Sequence, residues 1–198
     1  MKKALLSALI VMITFSVQAQ GLSTKDSKAI DGKVETFLSM IEAKDYTGLL
    51  DFMYPPIFEH TSKSSMFQIF DMLEQAGIEL KFENLEVLQK TAIPDQGDIK
   101  YAMVKYNLDM ELPLNTDELK GIAPLMVPML QSNFGKQNVE YNKSESFVHV
   151  KGQKYLLGVK DPEYTDWMFL IYDSSFKSAL DKTLPTSVNQ AAQKLSAY

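Results

Sequence analysis

Ile99–Leu112 reads IKYAMVKYNLDMEL, and its period of two decides the fold class. Ala102, Val104, Tyr106, Leu108, Met110 and Leu112 fall on one face, and Lys105, Asn107, Asp109 and Glu111 on the other. Successive side chains of a strand point to opposite faces, so this is a long strand with one buried side. Upstream, the period is helical. Ile30, Val34, Phe37, Leu38 and Ile41 form one stripe of an amphipathic helix over Ser27–Ala43. A second short helix buries Leu49, Leu50 and Met53 and ends at Pro55, which lacks a donor and pushes Tyr54 out of the α region.

Outward from these elements the pattern continues. A third helix is expected after Ser62–Ser65, with Met66, Phe67, Ile69, Phe70, Met72 and Leu73 buried and Gly77 as its C′ residue. Ile78, Leu80 and Phe82 then alternate as a strand. The parity shift at Leu85 and Val87 predicts a bulge near Asn84 or a sheet edge. Ile93–Asp98 is a turn by composition. Strands are expected at Val139–Val150 and Gln153–Lys160, turned at Lys151-Gly152, and at Thr165–Tyr172. Helices at Ser175–Lys182 and Thr186–Ala197 flank Pro185. Helices first and antiparallel strands after them define an α+β chain.

Three N-terminal helices, the hinge AKDYTGLLDFMYPPIF (Ala43–Phe58) into a short strand begun by Ile57 and Phe58, and a sheet ending in DWMFLIYD (Asp166–Asp173) resemble the nuclear-transport-factor-2-like superfamily. The resemblance covers roughly Ala29–Asp173 as a pattern of elements. It implies N-terminal helices packed on a curved antiparallel sheet, a cone with an apolar pocket. It also implies a choice between isomerase- or dehydratase-like enzymes and non-catalytic binding or assembly domains. Leu114–Gly135 departs from it as a helical or loop insertion between strands. The family's isomerases pair a pocket tyrosine with an aspartate. Tyr106 suits the tyrosine's part, and no aspartate here matches the other.

The N-terminus, MKKALLSALIVMITFSVQAQ, has a basic start, an apolar run and small residues at Val17 and Ala19, the pattern of a secretory signal over residues 1–19. Residues 20–198 are then read as one exported domain, periplasmic or secreted. No cysteine is present for a lipid anchor, disulfide or thiolate site. Loss of Lys2 and Lys3 takes the net charge from −5 to −7, and the chain has no arginine. That balance disfavours nucleic acid and anionic lipid as partners.

Residues that could carry chemistry are few. Glu59 and His60 are neighbours on an extended segment, so one cannot orient the other. His149 shares a strand face with Phe147 and Glu145, without the third ligand a zinc site needs. Asp109 and Glu111 look like a solvated face. No phosphate- or dinucleotide-binding motif occurs, and no cofactor is expected. Trp167 alternates with Phe169 and Ile171 and reads as core. GIAPLMVPMLQSNFG (Gly121–Gly135) is an uncharged Met/Pro run over Ile122–Leu130. Pro124 and Pro128 predict a broken helix or apolar loop there. It could cap the pocket, meet a partner or fill core. The ligand-binding set expected is Tyr106, Met110, Met126, Met129 and Trp167, serving an apolar small molecule or a protein partner, including a second copy. An enzyme using Tyr106 with a carboxylate or His60, and an envelope assembly role, are the alternatives.

Overall fold

The computed structural model describes residues 21–64, 77 and 80–196. The expected signal segment and the third helix, with the strand start at Ile78, lie outside the described residues. Helix α1 (Thr24–Glu42) starts at Ser23, whose hydroxyl accepts from the Asp26 N–H at 3.0 Å. Ile30, Val34, Phe37 and Leu38 are buried along its stripe. It ends on a left-handed residue, Lys44 (φ 58). Asp45 N–H donates to the Met40 carbonyl at 2.9 Å and Lys44 N–H to that of Ile41 at 3.1 Å, a Schellman stop. The Asp45 carboxylate then caps α2 (Tyr46–Asp51) through Gly48 N–H.

The five strands are β1 (Lys81–Gln96), β2 (Ile99–Pro113), β3 (Val139–Asn142), β4 (Phe147–Lys160) and β5 (Met168–Ile171). All their pairings are antiparallel, and they form an open sheet. β2 lies between β1 and β4. β3 and β5 share the far edge of β4, at Phe147–Val150 and Leu156–Val159 respectively. With its helices this is an α+β architecture. β1 slips register between Phe82 and Asn84, leaving Glu83 unmatched where the parity shift predicted a bulge. A second slip leaves Leu88 unmatched.

Three buried clusters hold the helices on the sheet. α1 covers Ala102, Val104 and Tyr106 together with Trp167 and Phe169. On the opposite face Tyr101 and Met103 are buried too, under α4 (Lys177–Thr183) and α5 (Thr186–Ser196), the expected C-terminal pair. α3 (Asp117–Phe134) covers Met110, Leu112, Val148 and Val150.

The expected turn at Ile93–Asp98 narrows to Gly97-Asp98, since β1 runs on to Gln96. Three further expectations are corrected. Gly121–Gly135 is neither broken helix nor loop but belongs to α3, with both prolines inside it. Pro124 and Pro128 are four apart and exposed, as is Lys120. The carbonyls that lose donors, those of Lys120 and Pro124, therefore belong to solvent-side residues. The expected turn at Lys151-Gly152 is mid-strand in β4. Gly152 is needed there for close approach, since a Cβ would stand 3.2 Å from the Phe134 ring. The chain turns instead at Lys143–Ser146, where the Asn142 side chain accepts from the N–H groups of Ser144 and Glu145. Finally, Ile57 and Phe58 open no strand: Pro55–Glu59 is a 3-10 turn, which consecutive prolines favour by fixing φ.

One charge cluster ties the layers together. Lys100 and Lys160 are direct cross-strand partners on β2 and β4, a repulsive pairing by itself. The buried Asp26 carboxylate accepts from Lys160 at 2.8 Å, from Lys100 at 3.1 Å and from the Ser23 hydroxyl at 2.8 Å. The Lys160 bond foremost, with those of Ser23 and Lys100, holds its carboxyl well below the usual carboxylate range, against the opposing pull of burial. A depressed folded-state value contributes stability that is complete above the unfolded value of about 3.9 and is lost as pH falls below it. Asp26→Asn is expected to cost about 2 kcal/mol in urea unfolding at pH 7. The gap to the parent should narrow below pH of about 4. A gap that stays constant down to that region would contradict this account.

Candidate functional site

The sheet and helices fail to meet in one place. There α1 contributes Phe37 and Ile41, α2 contributes Tyr46, Leu49 and Leu50, and Met53 follows. The start of β1 adds Leu80 and Phe82, the end of β5 adds Ile171, and the turn before α4 adds Phe176. These walls border a half-open cavity of about 260 Å³, with Lys44 as the one charged residue among the described lining. Residues of α1 and α2 pack on Ala102, Val104 and Tyr106 beside it. Phe37, Ile41, Leu49, Leu50, Met53, Leu80, Phe82 and Ile171 read in the sequence as ordinary core. No local signal marks the space left between the faces.

The residues singled out from sequence do not line this cavity. Tyr106 and Trp167 are buried together beneath α1. Met110 and Met126 are buried together beneath α3. Met129 points the other way and is 57% exposed. Trp167 packs against Gly158, where a Cβ would stand 3.2 Å from the indole. Its buried Nε1–H has no acceptor among the described residues. His60 and Glu59 are exposed at the end of the 3-10 turn. Neither Tyr106 nor His60 lines the apolar cavity.

A second, polar groove of about 520 Å³ crosses the sheet face at Asn84, Asn107, Asp109, Lys151 and Gln153, with Asn133, Phe134 and Asn138 beside it. Its charges are answered locally. Asp109 meets His149 Nε2 and, at 3.5 Å, Lys151 Nζ. Lys154 pairs with Asp173 at 2.9 Å and lies 4.3 Å over the Phe134 ring. Burial works to raise the Asp173 carboxyl, but Ser175 and Lys154 hold it below its ordinary range. Among the described residues no group of three or more His, Asp or Glu side chains could hold a metal.

A tyrosine–aspartate pair does form elsewhere. Tyr54 Oη donates to Asp161 at 2.7 Å, and the Tyr164 ring stands edge-on to Tyr54 at 5.7 Å. Burial first, then the Asp161 carboxylate, pushes the Tyr54 phenol well above its ordinary range, so it stays a donor. The pair lines neither cavity and fastens the hinge to the loop after β4.

No family model, curated protein or solved structure matches this chain. The class it defines by its own geometry is an α+β domain with an apolar cavity and an open antiparallel sheet. Among the described residues no helix is long and apolar enough to cross a membrane.

Tyr54→Phe should lower stability by about 1 kcal/mol in chemical denaturation. It should leave the binding of any cavity ligand unchanged; a loss of binding would place the hinge within the site.

Proposed function

We propose that this chain is an exported, non-enzymatic domain of the nuclear-transport-factor-2-like kind that binds an apolar small molecule. The observation that carries the reading is the cavity between α1, α2, β1 and β5, whose walls are aliphatic and aromatic apart from Lys44. Concave, mostly apolar sites with a few polar groups are the usual form of small-molecule sites. An apolar cavity of about 150 Å³ is enough to take up a benzene-sized guest. The polar groove supports binding less well, because its charged groups already satisfy one another.

Decanol at about ten times its Kd should stabilise the chain by about 1.4 kcal/mol in thermal unfolding. It should also displace the dye N-phenyl-1-naphthylamine. Ile41→Trp, which fills the cavity from the last turn of α1, should abolish both effects while the protein remains folded. Dye binding that survives this substitution would place the ligand elsewhere.

A second reading, association of two copies, has its support on α3. Leu125 is 79% exposed and stands with Ile122 and Met129 on the face turned from the sheet. Met126, expected to share that face, is buried. Three side chains are far fewer than the roughly 20–30 residues a side of a stable interface. This association would be weak and dependent on concentration. Sedimentation at rising concentration should show dimer in the parent and none in Leu125→Lys; a monomer throughout removes this reading.

A further inference from the structure

We propose that the cavity ligand is an aliphatic amphiphile with a single anionic head, a carboxylate, and that Lys44 receives that head. The inference rests on the cavity reading above and adds the chemical class of the ligand. Lys44 is the one charged residue among the described lining. Its ammonium makes no hydrogen bond, ion pair or ring contact among the described residues. The adjacent acid, Asp45, is committed to the N–H of Gly48 at 2.9 Å and caps α2 instead. A lone cation at an otherwise apolar cavity matches a guest with one charge and one greasy tail.

The backbone position of Lys44 is also unusual for its residue type. Lys44 occupies the left-handed C′ position of the Schellman stop (φ 58), where glycine is the usual residue because it has no Cβ to clash. A lysine held there carries some conformational strain, as does Ser146 (φ 57) in the turn before β4. A cation at a helix C-terminus also favours the helix dipole. That effect is indifferent to the ligand's head and is separated from the proposal by the test below. The cavity volume of about 260 Å³, scaled from the cavity of about 150 Å³ that takes up six-carbon benzene, corresponds to a chain of about ten carbons.

The test uses the chain with decanoate and decanol, ligands of matched length that differ in charge. Titration calorimetry is run on the parent, Lys44→Asn and Lys44→Arg. Asparagine tolerates the left-handed backbone, so the first variant removes the charge and keeps the turn. Lys44→Asn should weaken decanoate by about three- to tenfold and leave decanol within about twofold. Lys44→Arg should keep decanoate within about twofold of the parent. If decanol binds and decanoate is as tight in Lys44→Asn as in the parent, the role of Lys44 is overturned and the cavity reading stands. If neither ligand binds the parent, the cavity reading fails and this inference with it.

Discussion

The carboxylate of Asp26, set between Lys100 and Lys160, is the constraint on which the rest of the arrangement depends. Two lysines facing each other across β2 and β4 would push the strands apart at that rung. The anion that prevents this comes from the first turn of α1, and Ser23 both caps the helix and donates to that anion. Helix start and sheet register are therefore fixed by the same group. Once α1 is anchored there, its stripe runs over Ala102, Val104 and Tyr106, and its last turn delivers Phe37, Ile41 and Lys44 to the cavity rim. Without cysteine, the chain gets this cross-linking from a buried charge network and not from a covalent bond.

Periodicity made much of the fold legible. The stripe of α1, the buried face of Ala102, Val104, Tyr106, Met110 and Leu112, the bulge beside Asn84 and the helices around Pro185 all follow from short-range spacing. The misreadings came from residues whose local preference was outweighed by their surroundings. Pro124 and Pro128 each free a carbonyl, and in α3 both carbonyls belong to exposed residues, where water can satisfy them. Gly152 looks like a turn residue in isolation, yet it serves a ring from another element. Local chemistry cannot reveal either, because each depends on what packs against it.

The candidate site was legible in its parts and not as a whole. Phe37, Leu49, Leu50, Leu80 and Phe82 all read as core, and they are core in composition. What makes them a site is a gap among faces that come from four separate stretches of chain. Met126 and Met129 show the converse. They read as parts of one uncharged run serving one site, and the turn of α3 sends one into the core and the other to solvent. Lys44 is the missed residue, and its signal was faint: a lysine where the stop of α1 would favour glycine.

The irregularity of β1 has a consequence for the fate of the chain in company. It is sixteen residues long and stands at the end of the strand order, a length of exposed edge that invites other strands to add to it. Register slips at Glu83 and Leu88 break that edge into short runs, and Lys81, Glu83 and Glu86 point outward along it. A foreign strand would meet a charged, kinked template that it could follow for only a few residues. Bulges and charges of this kind are the usual means by which an edge strand is made a poor template for pairing.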